Sequence, residues 1–190
     1  MAINPNRQLK LAVIAALASK LNESLGRTAL MKLIFFLQAR RGIDLGYSFR
    51  LYNYGPYDSQ VIGDLKIAES LGIVVSKEFS WSGGSGYTIG LGSNALALLE
   101  KSKKELLEIE TSIDWVVAEF GRRSAADLEI ASTIVFADDA CLEENRSQSI
   151  GDLVSAVHSI KPHHSEERIS VEVSALQKNS LLNSITEVAQ

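Results

Sequence analysis

Three histidines, one cysteine and two glycine-rich stretches are the residues of this 190-residue chain whose types could support chemistry. His163 and His164 are adjacent, and neighbouring side chains on a helix or strand diverge. With only His158 nearby and no thiolate beside them, their spacing predicts no metal site. Cys141 lies in Asp138-Asp139-Ala140-Cys141-Leu142-Glu143-Glu144, where negative charge disfavours the thiolate that a nucleophile requires. Gly83-Gly84-Ser85-Gly86 joins two strand-like runs and lacks the lysine of a phosphate loop. Gly90-Leu91-Gly92-Ser93 precedes a helix whose N-terminus could hold an anion, yet a strand exit explains it equally well. The expectation is a non-enzymatic chain, with no catalytic residue, no metal ligand and no cofactor.

The chemistry that remains is recognition. Four of the five tyrosines fall within Tyr47-Ser48-Phe49-Arg50-Leu51-Tyr52-Asn53-Tyr54-Gly55-Pro56-Tyr57, and a tyrosine combines a flat apolar ring with a polar tip. Arg50, Tyr52, Tyr54 and Tyr57 are candidates for a docking surface for a protein partner, since Tyr and Arg supply many interface hot spots. The other reading is architectural: Tyr54 and Tyr57 brace the turn, Pro56 fixes its backbone and Gly55 supplies permissive dihedrals. A second set, Arg27, Lys32, Arg40 and Arg41, joins Arg50 as a candidate nucleic-acid patch or as an ordinary solvated face.

The elements that must position these residues follow from periodicity. Gln8 to Leu21 carries apolar residues around most of a helical circumference. Thr28 is placed to cap a second helix running to about Arg41, with Leu30, Leu33, Ile34, Phe36 and Leu37 inward, Lys32 and Arg40 off that face, and Gly42 as its stop. Tyr47 to Tyr52 alternates as a half-buried strand. Asp58 or Ser59 caps a third helix through Leu71, ended by Gly72. Ile73 to Phe79 and Tyr87 to Gly90 form a β-hairpin. Beyond it Ser93 caps a Glu/Lys-rich helix, and Ile113 to Phe120 reads as a short helix closed by Gly121. Ser124 caps the segment bearing Leu128, Ala131, Ile134 and Val135, and residues 138 to 149 read as a polar loop. Ser149 or Asp152 starts a helix broken at Lys161-Pro162, Ser165 caps the last one, and the chain frays from Asn179. The expected fold is mainly α with a small β-hairpin or sheet. A winged-helix-like module over residues 1–92 is packed with a helical part over residues 93–190 as one unit.

Composition bounds the functional classes. With 46% hydrophobic and 22% charged residues the chain belongs to the globular class, and its longest apolar stretches fall well short of the roughly 20 residues of a membrane helix. A lone cysteine and no leader-like start imply a cytoplasmic location. Residues 1–92 hold ten basic and six acidic side chains, and residues 93–190 hold nine and seventeen, so the chain is no general nucleic-acid coat. On the third helix Asp58, Asp64 and Glu69 face a single Lys66, a poor balance for a helix that would lie in a DNA groove.

Gly26-Arg27-Thr28 leading into Met31-Lys32-Leu33 and Phe35-Phe36, then Phe49 to Tyr57, then Leu71-Gly72-Ile73 resemble the YwgA-type bacterial proteins and, more distantly, the SocA-like Panacea antitoxin domain. Asp127-Leu128-Glu129-Ile130-Ala131-Ser132-Thr133-Ile134 and Ile160-Lys161-Pro162 match the later part of the same pattern. The resemblance implies a winged-helix-like core, and its Panacea relatives bind and neutralise unrelated toxins or serve as protease adaptors. The functional expectation is therefore a binding protein that recognises a protein partner in a toxin–antitoxin, phage-defence or proteolytic setting. A winged-helix DNA-binding transcriptional regulator is the alternative. No membrane partner is expected, and self-association is left open.

Overall fold

The structure is a computed structural model that describes residues 5–22, 24–82 and 84–185. Among these residues it is mainly helical, with two small two-stranded sheets. The chain divides into two compact units. Unit 1 holds residues 1–49 and 57–125, and unit 2 holds residues 50–56 and 126–190. The division therefore departs from the expected boundary at residue 92, for a physical reason: the helices that follow the hairpin pack on the first two helices and belong with them.

In unit 1, helix α1 (Pro5–Leu21) is apolar on every side from Leu11 to Ala18, and all eight of those residues are buried. Helix α2 (Arg27–Arg41) is buried from Leu30 to Leu37 without interruption. Gly26 precedes it with no side-chain cap, so Thr28 does not cap α2, while Gly42 ends it in the left-handed conformation (φ 64°) that glycine adopts without strain. Helix α3 (Ser59–Ser70) is capped by Asp58, whose carboxylate accepts from Gln60 N–H at 2.8 Å and from Ser48 N–H at 2.6 Å. Strands β3 (Val74–Trp81) and β4 (Gly84–Leu91) form an antiparallel hairpin registered from Val74 opposite Leu91 to Trp81 opposite Gly84. The link between α1 and α2 reaches this hairpin, where Ile89 N–H donates to the Leu25 carbonyl at 2.8 Å.

Two helices follow. Helix α4 (Ala95–Lys101) ends at Ser102, and α5 (Lys103–Phe120) runs unbroken through the segment read as a separate short helix. No glycine or proline interrupts Lys103 to Ser112, and its glutamates, lysines and leucines are good helix formers. Phe120 stacks on Phe36 with ring centroids 3.8 Å apart and planes within 5° of parallel, which joins α5 to α2 at the centre of the unit.

In unit 2, β1 (Arg50–Tyr52) pairs with β2 (Gly55–Tyr57) in a sheet of their own, so the strand expected from Tyr47 is shorter and stays apart from the hairpin sheet. Helix α6 (Ala125–Glu143) extends through residues expected to be loop. Its Asp138 is fully buried and accepts from the backbone N–H of Asn183 at 2.8 Å and Ser184 at 3.0 Å. Those bonds tie down residues 179–185, which therefore do not fray; the remainder of the expected fray, residues 186–190, lies outside the described residues. Helix α7 (Ile150–Ile160) opens with a reciprocal capping box between Ser149 and Asp152. Helix α8 (Glu166–Lys178), capped by Ser165, packs against α7 through the turn at Lys161-Pro162-His163-His164. No helix among the described residues is long and apolar enough to cross a membrane.

Candidate functional site

Helix α6 carries Glu129 near the start of the buried run Leu128 to Val135, and Glu129 is only 8% exposed. A carboxylate in such a place requires a partner, because desolvating an unpaired charge costs several kcal/mol. Its partner is Lys161, 1% exposed, whose Nζ lies 2.6 Å from Glu129 Oε1. The same ammonium donates to the Asn53 carbonyl, between β1 and β2. A helix residue, a helix-break residue and a turn backbone, far apart in sequence, are thus joined by one buried lysine.

Two residues along the turn, Gly55 completes the attachment. It is buried at φ 82°, and a Cβ there would lie 2.9 Å from Thr133 Oγ1 and 3.2 Å from Ser132 Oγ. Glycine satisfies both demands, the left-handed dihedral and the close approach to α6. Ser132 and Thr133 turn their hydroxyls back onto the Glu129 carbonyl at 3.2 and 2.7 Å, which keeps them satisfied inside the helix. Pro56 is buried beside Gly55.

The side chains carried on this fixed backbone point the other way. Tyr52 is 60% exposed, Tyr54 73% exposed, and Arg50 is exposed as well. Tyr57, 36% exposed, falls in unit 1. The tyrosine-rich segment therefore splits by role. Tyr47 is buried, donates its hydroxyl to Asp64 at 3.0 Å and lies under Lys10 Nζ, 4.1 Å from the ring centroid. Burial first, then the charge of Asp64 and its hydrogen bond, push this phenol far above the usual tyrosine range.

The basic set does not form a single exposed face. Lys32 is 2% exposed, because α2 is enclosed on all sides at that level, so it leaves the candidate nucleic-acid patch. Arg27 is half-buried with its guanidinium 3.5 Å from the Tyr87 ring centroid. Arg40 is half-buried and donates to the Ala39 carbonyl at 2.9 Å, while Arg41 is exposed. On α3 the acidic residues are equally occupied. Asp58 caps the helix, Asp64 is buried against Tyr47, and Glu69 accepts from Ser76. The negative charge expected to repel a nucleic acid from α3 is thus largely internal, and its exposed residues include Gln60, Lys66 and Ser70.

Below the Lys161 anchor, His163 and His164 sit in the turn between α7 and α8, where the backbone is neither helix nor strand. Their rings converge, with centroids 4.2 Å apart, so the divergence expected of adjacent side chains does not apply here. His163 Nε2 lies 3.8 Å from Glu129 Oε1. His158 Nδ1 is 2.9 Å from the His164 carbonyl and ties α7 to the turn. Burial, with the neighbouring His163 and Arg168, holds His164 below the usual imidazole range, against the pull of Glu129. Cys141 is buried with its thiol donating to the Arg146 carbonyl at 3.3 Å, as an ordinary helix-end cysteine.

In comparison with known proteins, no protein-family model matches the chain and no curated protein matches it significantly. Sequence reasoning named Arg50, Tyr52 and Tyr54 as candidates, and the structure places all three side chains in exposed positions, but it did not foresee the Glu129–Lys161 pair beneath their turn. The sequence carries one partial signal, an acid set among mostly apolar helix positions, which calls for a buried cation without saying which one.

Proposed function

We propose that this chain is a non-enzymatic binding protein that recognises a protein partner through Arg50, Tyr52 and Tyr54 of unit 2. One observation carries the reading. Two largely exposed tyrosines stand on a turn whose backbone is fixed from beneath by the buried Lys161 and by Gly55 against α6. Exposed aromatic rings on a mobile loop lose conformational freedom when they bind, whereas rings on a fixed turn lose little. A protein surface suits such residues because Tyr and Arg pair apolar contact with hydrogen bonding.

The setting follows from the resemblance to YwgA-type and Panacea proteins, and is a toxin–antitoxin, defence or proteolytic-adaptor role. Among the segments that carry the resemblance, Phe49 to Tyr57, Asp127 to Ile134 and Ile160 to Pro162 include Asn53, Glu129 and Lys161, all three parts of the anchored turn. The test is copurification from the native cell. A partner retained by wild type should be lost with Tyr52→Ala/Tyr54→Ala while the variant stays folded, and retention of the same partner by the double variant would defeat the proposal.

A DNA-binding regulator is the second reading, favoured by two observations in unit 1. Leu25 bonds to β4 as the third strand of a winged helix would, and the acids of α3 are occupied internally. Mutating Arg40, Arg41 and Arg50 together and measuring DNA retention at low and moderate salt separates the readings, since phosphate contacts weaken steeply with salt. Wild type that retains no DNA even at low salt ends the regulator reading.

A further inference from the structure

We propose that Glu129, His163 and His164 form a binding site for one divalent transition-metal ion of the zinc class, a function separate from the docking surface above. One donor atom from each of the three residues lies within 4.8 Å of the others. A tetrahedral ion with bonds of about 2.1 Å holds its donors roughly 3.4 Å apart, so closure needs a pair of donors to approach by up to about 1.4 Å. His163 Nε2 already lies 3.8 Å from Glu129 Oε1, and its exposed side chain on a turn is free to follow the ion.

The second, independent observation is at His164. The residue is 8% exposed, and its Nε2 is buried with no hydrogen-bond partner. An imidazole nitrogen left without a partner in the interior carries an uncompensated desolvation cost, which a metal–nitrogen bond would remove. The turn that carries the ring is already held by Pro162 and by the bond between His158 Nδ1 and the His164 carbonyl, so the donor is presented with little freedom to lose. Two imidazoles and one carboxylate suit zinc, nickel or copper rather than the oxygen-seeking magnesium or calcium.

Lys161 sets the character of the site. Its ammonium sits 2.6 Å from Glu129 Oε1, so an incoming ion shares that carboxylate with a cation already in place. Repulsion between the two makes binding weaker than at a closed four-ligand zinc site, and reversible. The fourth position opens on the exposed side of His163, where water would complete the coordination.

The test uses the untagged full chain, stripped of metal with a chelator and titrated with Zn²⁺ by calorimetry and with Co²⁺ by visible absorption. One ion per chain is expected, with the ligand-field bands of a low-coordinate cobalt site. His163→Ala removes an exposed side chain and should leave the circular dichroism unchanged while weakening zinc binding at least about tenfold. His164→Ala should weaken it as well. Absence of uptake by wild type, or uptake that His163→Ala leaves unchanged, overturns the proposal, the second result placing the ion elsewhere on the chain.

Discussion

Replacing Lys161 with Met removes the buried ammonium that compensates Glu129 while keeping most of the aliphatic volume in the interior. Glu129 is then left 8% exposed without its ammonium, and the Asn53 carbonyl loses its donor. Breaking one side of a buried ion pair costs about 3–5 kcal/mol, chiefly because the surviving charge is unpaired. The loss should be local to unit 2. Both tryptophans of the chain, Trp81 and Trp115, belong to unit 1, so their fluorescence serves as an internal control that does not report on this site. Hydrogen exchange read by mass spectrometry does report on it. At about 1.4 kcal/mol per factor of ten, peptides covering residues 50–57 and α6 should exchange roughly a hundred to a few thousand times faster in Lys161→Met. Peptides of α2 and α5 should keep their wild-type rates. The reciprocal variant Lys161→Met/Glu129→Gln removes the orphaned charge and should return at least half of the lost protection. Unchanged exchange at residues 50–57 in Lys161→Met would refute the reasoning, because the turn would then not be held by this lysine.

Gly55→Ala forces a side chain into the left-handed region and brings its Cβ to 2.9 Å from Thr133 Oγ1, so unit 2 should lose about 2 kcal/mol or more, read as a lower denaturation midpoint. Tyr52→Ala/Tyr54→Ala removes only exposed rings, and stability should stay within about 0.5 kcal/mol of wild type in the same melts. Tyr47→Phe tests the buried phenol through alkaline pH. The folded phenol is held far above its unfolded value by burial and by Asp64, so its contribution is complete below about pH 10 and declines above it, by up to about 1.4 kcal/mol per pH unit. Between about pH 9 and pH 11 wild type should therefore lose about 1.4 kcal/mol more than Tyr47→Phe in urea melts, whereas equal losses would show that the phenol titrates freely.

Local signals gave most of the elements directly. Gly42 and Asp58 end and start helices where their types require it, Ser165 caps α8, and the glycine-rich turn joins a hairpin. At two of the places where expectation departed from the structure, a tertiary partner decided the outcome. Residues 138–143 look like polar loop, yet they stay helical with Asp138 buried against the backbone of Asn183 and Ser184, residues more than forty positions away. Lys32 lies off the apparent apolar face of α2 but is enclosed, because that helix is covered on all sides. The candidate surface was legible as a cluster of tyrosines. Its support was not, because Glu129, Lys161 and Asn53 are linked only through folding, and no local pattern records a contact across 108 positions. The histidine pair shows the same limit. Adjacent residues diverge on regular elements, and only the irregular turn brings these two rings together.

The claim that Tyr52 and Tyr54 form a protein-docking surface is tested most directly by site-specific photocrosslinking in the native cell. A photoreactive phenylalanine placed at Tyr54, 73% exposed on the anchored turn, should give a discrete covalent adduct with one partner. The same probe at the exposed Arg122 of unit 1 should not give that adduct. Adduct formation at Tyr54 that Tyr52→Ala diminishes is the predicted result. Equal labelling from both positions, or no adduct from Tyr54 in folded protein, would contradict it.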